Sequence, residues 1–373
     1  MALITNSFPR AHHVGSFIRP QELLDARVNH ASGKITREEL MAVQTQAIQG
    51  VVKMQESLGL QVITDGEFNR GSWQRDFLLE FDNVALVPSK ITVPFHTQEG
   101  VQLSAPPSLQ VQGRIAHSHD IFVDDFKFLQ SVCSRTPKVT FPSPSTLHFR
   151  GGRQAVDEKA YPDIGLFYTD VAEVYRQEIE ALAQAGCRYI QIDEVNLAYL
   201  CDPQMRNQVR GFGENPETLP QTYADILNQA VSTIPSDMVV SMHLCRGNFA
   251  GAWVAQGGYD PIAELLFNGI DVDVYYLEYD SERAGGFEPL RFLPKGKMAV
   301  LGLMTTKSKQ LESKDHLIQR IEEAAKYVPL DQLALSPQCG FSSGIGGNVM
   351  DIDEQIAKLR LLTEVTQTVW GSH

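Results

Sequence analysis

The chain has no concentrated region of positive charge. Its 32 lysine and arginine residues are outnumbered by 45 aspartate and glutamate residues, and the formal net charge is −13. Proteins whose main partner is a nucleic acid or an anionic membrane carry a basic surface that attracts phosphate groups. We therefore expect no nucleic-acid partner and no membrane partner, and a small molecule is the better candidate ligand.

Long apolar runs are also missing. No stretch approaches the roughly 20 consecutive apolar residues that a membrane-spanning helix needs. The first residues, Met1-Ala2-Leu3-Ile4-Thr5-Asn6, have neither the basic segment nor the apolar core of a secretion signal. These absences predict a cytoplasmic protein.

Cysteine is scarce, with five residues in the whole chain. An odd number of widely spaced cysteines does not suit a disulfide framework, so we expect free thiols or metal ligands. Cys133, Cys187 and Cys201 have no partner at the spacing of a metal site, and we expect them to be structural. Cys245 and Cys339 are the remaining candidates for ligands.

The pattern that is present alternates strand-like and helix-like segments. Continuous apolar runs of this kind are typical of parallel strands that are buried on both faces. Eight such runs occur, at Ala11–Phe17, Gln61–Asp65, Lys138–Pro142, Arg188–Asp193, Met238–Leu244, Val272–Glu278, Met298–Met304 and Gln332–Pro337. Eight βα units favour an α/β protein of the (β/α)8 TIM-barrel class over an open, doubly wound sheet.

One region interrupts the alternation. Residues 76–137 contain scattered prolines and short β-prone pieces such as Ser108-Leu109-Gln110-Val111. We predict that this region is a hairpin-containing insertion between the second and third strands. Residues 1–373 would then form a single catalytic domain.

The segment His243-Leu244-Cys245 stands at the end of the fifth apolar run. Side chains two residues apart on a strand point to the same face, so this histidine and cysteine can hold one metal ion. Glu278 ends the sixth run and Cys339 follows the eighth, and the carboxyl ends of barrel strands meet at one mouth. Each residue alone has an ordinary explanation in a protein core. Their joint placement indicates a zinc site.

Two thiolates and one carboxylate would leave a zinc centre with one net negative charge. Such a centre activates water poorly. It suits a substrate thiol, because the metal lowers the thiol pKa while its anionic ligands keep the thiolate nucleophilic. We expect the incoming sulfur to take an open position or to displace Glu278, and alkylation would then give a thioether.

Two further acids, Glu67 and Asp193, also follow candidate strands. Their carboxylates can hold the ammonium group of an amino-acid substrate through charge-assisted hydrogen bonds. Alternatively, either acid caps the next helix or orients the ring of His243.

Several of these segments together resemble the C-terminal, catalytic barrel of the cobalamin-independent methionine synthases. The matching segments, in chain order, are His13-Val14-Gly15-Ser16-Phe17, Asp65-Gly66-Glu67-Phe68-Asn69-Arg70, Ile190-Gln191-Ile192-Asp193-Glu194, His243-Leu244-Cys245, Glu278 and Pro337-Gln338-Cys339-Gly340-Phe341. Their ordered combination over nearly the whole chain is specific, whereas any one short motif alone would mean little.

The resemblance implies roles for nine residues. The zinc ligands that it implies are His243, Cys245, Glu278 and Cys339. The residues implied to hold the carboxylate of homocysteine, through backbone and hydroxyl groups, are Val14, Gly15 and Ser16. The residues implied to hold its amino group are Glu67 and Asp193.

The chain departs from the family pattern in three places. It has room for one barrel where the full-length synthases carry two, so the methyl donor is either methyl-folate or another compound. Asn196-Leu197-Ala198-Tyr199 and Phe149 stand where the synthases have a glutamate and a tryptophan against the pterin. Lys307 lies nearest to the position of their proton-donating histidine, and it could supply a proton or bind an anionic group of the donor.

These features predict a zinc-dependent methyltransferase that activates homocysteine as a zinc-bound thiolate and methylates it to methionine, without cobalamin as a bound prosthetic group. The chain resembles most the short, single-barrel relatives of the synthase. Whether two copies form a homodimer is left open.

Two other interpretations remain at this point. One is a zinc-dependent alkyltransferase that acts on another thiol, like the enzymes that open epoxides with coenzyme M. Glu67 and Asp193 argue against it, because a sulfonate thiol without an ammonium group gains nothing from two carboxylates. The other is a zinc-binding protein that holds a thiol or a partner without turnover.

Overall fold

Parallel strands dominate the computed structural model, which describes residues 8–89, 92–97, 100–342, 344 and 349–371. The described strands are β1 Val62–Ile63, β2 Val84–Val87, β3 Val93–Thr97, β4 Gly100–Ser104, β5 Ser108–Val111, β6 Thr136–Pro137, β7 Val139–Pro142, β8 Tyr189–Asp193, β9 Val239–Leu244, β10 Val274–Glu278, β11 Met298–Met304 and β12 Leu333–Pro337. The main sheet has the order β12-β11-β10-β9-β8-β7, and all its neighbours are parallel. The fold is a (β/α)8 barrel, as the sequence predicts.

Two shorter pairings continue the sheet toward closure. Strand β1 pairs in parallel with β6, immediately before β7. Ala11 forms a parallel bridge to Leu335 of β12, and the amide of His12 donates to the Leu335 carbonyl at 2.9 Å. The N-terminal segment therefore lies against the last strand of the barrel.

The first predicted strand, Ala11–Phe17, is not a regular strand in the structure. Its only strand pairing among the described residues is the bridge at Ala11. Gly15 adopts a φ of +142°, which lies outside the β region of L-residues and turns the chain away from the ladder. The six strands of the main sheet instead match their predicted runs to within two residues.

Helices connect the strands and cover the outer face of the barrel. The described α-helices are α1 Gln21–Ala31, α2 Arg37–Ser57, α3 Arg75–Leu78, α4 Val123–Val132, α5 Thr146–Phe149, α6 Ile164–Gln184, α7 Val195–Tyr199, α8 Pro203–Gly211, α9 Leu219–Ala230, α10 Ala263–Asn268, α11 Lys314–Ala324 and α12 Ile352–Trp370. Side-chain caps start several of them, such as Thr36 with Glu39 at α2 and Asp163 at α6, because these oxygens satisfy free amides of the first turn. None of the described helices is long and apolar enough to cross a membrane.

The region after β1 contains two antiparallel pairs. Strand β2 pairs with β5, and β3 pairs with β4 as a hairpin. The hairpin reaches the loop after β9, where His96 and Trp253 exchange backbone hydrogen bonds of 2.8 and 3.1 Å and stack their rings at 5.8 Å. This contact places the hairpin beside the carboxyl ends of the strands. The bounds 76–137 and the single domain over 1–373 stay predictions.

Candidate active site

Three of the predicted metal ligands meet at the mouth of the barrel. Strand β9 carries His243 and runs into Cys245, and Cys339 follows β12 by two residues. One ligand atom from each of the three lies within 4.8 Å of the others. All three side chains are buried. Nitrogen and sulfur donors at this separation suit a borderline-soft ion such as zinc.

The hydrogen bonding of this cluster also fits a metal. Among the described residues, neither ring nitrogen of His243 has a nitrogen or oxygen partner, although both are buried. A buried polar atom without a partner is costly, so an ion that binds it would remove that cost. The hydrogen bond between the two thiols lowers the pKa of Cys245 well below its usual value and raises that of Cys339. The cluster is therefore prepared to hold at least one thiolate.

Glu278 lies at the end of β10 but stands outside this close group. Its carboxylate oxygen Oε1 lies 2.6 Å from Arg283 and 3.5 Å from Nζ of Lys307. Its other oxygen accepts the backbone amide of Arg246 at 2.7 Å. Burial acts to raise the pKa of Glu278, but the neighbouring cations outweigh it and lower the pKa to about 2. The carboxylate is thus ionised and held by protein groups.

Lys307 is a buried partner of two acids. Besides Glu278, its ammonium lies 3.6 Å from Oδ2 of Asp280. Lys307 therefore lies beside the carboxylate of Glu278, a predicted zinc ligand. Lys307 is not one of the residues that line the pocket described below.

Two residues of the segment Val14-Gly15-Ser16, Val14 and Ser16, line the pocket described below. The amides of Gly15 and Ser16 donate to no acceptor among the residues that the structure describes. A Cβ atom on Gly15 would lie 2.7 Å from Cγ2 of Thr140. Only glycine fits this turn without displacing its neighbour.

Glu67 is held beside the same segment in a strained backbone conformation. Its φ is 60°, which is uncommon for a residue other than glycine. Its carboxylate accepts a hydrogen bond of 2.8 Å from the Thr140 hydroxyl, and Arg70 lies 3.9 Å away. The strain and the buried acid occur together at the position that the sequence predicts for binding an amino group.

Asp193 ends β8 and pairs in register with His243 of β9. Its carboxylate accepts a hydrogen bond of 2.8 Å from the side-chain amide of Gln191. Burial raises the pKa of Asp193 to about 7, and the negative charge of Glu67 adds to this shift. A cationic group placed between these two acids would favour their ionised forms.

One pocket of about 340 Å³ contains most of the predicted site. Seven of the predicted residues line it, namely Val14, Ser16, Glu67, Asp193, His243, Cys245 and Cys339. The sequence did not predict the outer wall, which is formed by Trp73, Arg75, Phe95, Arg150 and Phe249. Phe95 comes from the β3–β4 hairpin and packs on Phe249 with ring centroids 5.3 Å apart.

Sequence reasoning missed the groups that surround the predicted ones. Gln191 lies within a recognised motif, and a polar side chain two residues before Asp193 on a buried strand was a usable signal. Lys138, a charged residue directly before β7, was another. Arg283 gave no local signal, because it reaches Glu278 from a loop.

The chain is similar to known proteins in sequence and in fold. The model of the cobalamin-independent synthase catalytic domain matches residues 8–367. The chain belongs to the cobalamin-independent methionine synthase family. Members of this family are methyltransferases, and the chain is an enzyme of that class.

Similar proteins cover nearly the whole chain. The uncharacterized protein YxjH of Bacillus subtilis is 41% identical over 367 residues, which are 97% of this chain and 94% of YxjH. The methionine synthase of Saccharolobus solfataricus is 26% identical over 88% of this chain and 86% of its own. The crystal structure of a proposed vitamin-B12-independent methionine synthase from Listeria monocytogenes matches with a TM-score of 0.77 and 34% identity, over 97% of this chain and 98% of that one. The family is therefore represented by other chains of this length.

Proposed function

We propose that this enzyme transfers a methyl group to homocysteine and forms methionine, with zinc as its metal. One observation carries the proposal: the same pocket contains the nitrogen–sulfur cluster of His243, Cys245 and Cys339 and the two acids Glu67 and Asp193. The cluster suits a thiol and the acids suit an ammonium group, and homocysteine carries both.

Zinc is the ion that the cluster fits best. Two sulfur ligands and one imidazole form a common zinc set, and Glu278 is the proposed fourth ligand. When bound, zinc lowers the pKa of a coordinated thiol, so that a thiolate nucleophile is present near neutral pH. Arg283 and Lys307 offer the Glu278 carboxylate an alternative partner, which supports Glu278 as the ligand that the substrate sulfur displaces.

The amino-acid end of the substrate is proposed to bind beside the cluster, in the same pocket. The free amides of Gly15 and Ser16 would donate to the substrate carboxylate, and Val14 would lie beside that carboxylate. Glu67 and Asp193 would accept hydrogen bonds from its ammonium group. A substrate held at both ends has its sulfur fixed, which lowers the entropic cost of methyl transfer.

The methyl donor is proposed to enter between the hairpin and the loop after β9. Trp73, Phe95 and Phe249 offer aromatic surface there, and Arg75 and Arg150 have no ion-pair partner among the described residues. A donor with a flat or apolar part and an anionic group, such as a methyl-folate, would suit this wall. Lys307 is proposed to act through Glu278, as the cation that accepts the carboxylate when it leaves the metal.

The decisive experiment is X-ray absorption at the zinc edge, with zinc content, on the wild type and on Cys339→Ser. We expect about one zinc per chain in the wild type and one additional sulfur ligand when homocysteine is added. Cys339→Ser should lose zinc or start with one sulfur fewer. An unchanged metal shell with homocysteine, or tighter binding of a sulfonate thiol than of homocysteine, would contradict the proposed function.

A further inference from the structure

A chain of hydrogen bonds lies in the barrel directly beneath the amino-acid end of the pocket. The side-chain amide nitrogen of Gln191 donates to the carbonyl of Val14 at 2.6 Å and to the carboxylate of Asp193 at 2.8 Å. Val14 and Asp193 are 179 residues apart in the sequence. One side chain therefore connects both halves of the proposed amino-acid site.

The orientation of this amide is fixed from below. The ammonium of Lys138 donates to Oε1 of Gln191 at 2.7 Å and to the carbonyl of His13 at 2.6 Å. A lysine ammonium has donors only, so the amide oxygen must face Lys138 and the amide nitrogen must face the pocket residues. Gln191 is 0% exposed and Lys138 is 1% exposed, so water does not replace these bonds.

The bond to Val14 also orients a donor. The carbonyl and the N–H group of one trans peptide unit point in opposite directions. When Gln191 holds the carbonyl of Val14, the amide of Gly15 must point away from Gln191. This is the amide that has no acceptor among the described residues and that the proposed function assigns to the substrate carboxylate.

Lys138 also sets the charge beneath the two acids. It lies 4.7 Å from the ring centre of Tyr276, and the carboxylates that act on it most strongly are Asp193 and Glu67. In the state in which Lys138 is protonated and both carboxylates are ionised, the three groups carry one net negative charge. That charge matches one ammonium group.

We propose that Gln191 is a positioning residue that fixes both ends of the amino-acid site, and that Lys138 holds its amide in the required orientation. The inference rests on the proposed function, because it takes a zwitterionic amino-acid thiol as the substrate. It adds a reason for discrimination: a thiol without the amino-acid end gains nothing from groups that Gln191 positions.

The test compares two thiols on the zinc-loaded enzyme by calorimetry. L-Homocysteine carries the amino-acid end and 1-propanethiol lacks it. In Gln191→Met we expect the Kd of homocysteine to rise about tenfold, as the loss of hydrogen bonds to a charged group predicts. The Kd of propanethiol and the zinc content should stay within twofold of the wild type. Gln332→Met is the matched control, because Gln332 also donates to two carbonyls, at 2.7 and 2.9 Å, but lies before β12 at the other end of the barrel.

The outcomes separate the two proposals. If the wild type does not bind homocysteine, the proposed function fails and the inference fails with it. If the wild type binds homocysteine and Gln191→Met binds it equally well, or loses affinity for both thiols alike, the inference alone fails. If Gln191→Met does not fold, Gln191→Glu retains an oxygen for Lys138, and the same loss of discrimination is expected because a carboxylate cannot donate to Val14 and Asp193.

Discussion

The carboxylate of Glu278 and the guanidinium of Arg283 form a buried ion pair of 2.6 Å beside the candidate zinc ligands. On the proposed function, Glu278 leaves the metal when the substrate binds, and it then needs another partner, because an unpaired buried carboxylate is costly. The ion pair provides that partner within the protein. The strength of the pair should therefore influence how readily a thiol enters the metal shell.

Arg283→Met tests this relationship. Without the guanidinium, the Glu278 carboxylate loses its nearest partner and competes better for the metal. We expect the zinc content to be retained and the Kd of homocysteine to rise about fivefold to tenfold, which corresponds to roughly 1–1.4 kcal/mol. Calorimetry measures the affinity, and X-ray absorption should show a smaller gain of sulfur at saturating substrate.

Arg291→Met is the control for Arg283→Met. Arg291 forms an exposed ion pair of 3.2 Å with Asp260, and exposed pairs contribute little to stability. The homocysteine affinity of Arg291→Met should equal that of the wild type. An Arg283→Met enzyme that binds homocysteine as tightly as Arg291→Met would show that the ion pair does not influence ligand exchange.

On the proposed function, the cysteines divide into zinc ligands and structural residues. We expect Cys245→Ser and Cys339→Ser to hold less than about a tenth of the wild-type zinc after dialysis against a chelator, since zinc prefers thiolate to hydroxyl ligands. Cys201→Ser should keep its zinc, because burial raises the pKa of Cys201 to about 12 and it is no member of the metal cluster. Metal analysis by mass spectrometry measures all three variants. Equal zinc in Cys201→Ser and Cys339→Ser would exclude Cys339 as a ligand.

The sequence was most informative where strands are buried. The apolar run Met298–Met304 is a strand with the same bounds in the structure, because a strand buried on both faces needs apolar side chains throughout. The first strand was mispredicted, since an apolar run does not reveal that Gly15 adopts a positive φ. Regular pairing depends on backbone angles that composition does not show.

The site was predictable to the extent that its residues end strands. His243 lies at the end of β9, Cys245 follows β9 and Cys339 follows β12, and parallel barrel strands bring such residues together. The partner of Glu278 was not predictable, because Arg283 reaches it from a loop whose path depends on tertiary packing. The aromatic wall formed by Phe95 and Phe249 comes from an inserted hairpin and a loop, and no periodicity relates the two.

Gly15→Ala tests whether the turn at the mouth depends on glycine. The added Cβ atom would meet Thr140 at 2.7 Å, and the φ of +142° is unfavourable for alanine. We expect a loss of about 1–3 kcal/mol in the free energy of unfolding and a weaker affinity for homocysteine. Urea unfolding and calorimetry measure the two effects.

Gly33→Ala separates backbone strain from the clash. Gly33 also has a positive φ, of +71°, but no atom lies within 4 Å of an added Cβ. The Gly33→Ala enzyme should lose stability without losing affinity for homocysteine. A Gly15→Ala enzyme with wild-type affinity would show that the backbone of residues 14–16 does not bind the substrate.

The buried Lys138 predicts a pH dependence of stability. Burial lowers its pKa from 10.5 to about 7, and Asp193 and Glu67 offset only part of that shift. Between about pH 7 and pH 10 the unfolded chain therefore binds more protons at this lysine than the folded chain does. The free energy of unfolding should rise with pH over this window, because stability increases wherever the unfolded state binds more protons. At about 1.4 kcal/mol per unit of pKa, the contribution over the whole window is on the order of 5 kcal/mol.

Lys138→Met removes this group and should remove the rise. Urea unfolding at pH 7, 8 and 9 gives the slope for each protein, and Lys309→Met is the control, since Lys309 is an exposed lysine. We expect the control to keep the wild-type slope and Lys138→Met to show a flatter one, whatever its absolute stability. The comparison of slopes matters, because Lys138→Met also deprives Gln191 and His13 of a donor and so changes stability by an amount that does not depend on pH. Equal slopes in all three proteins would mean that Lys138 keeps its proton in the folded barrel throughout this range, and that its charge is fully compensated by the acids above it.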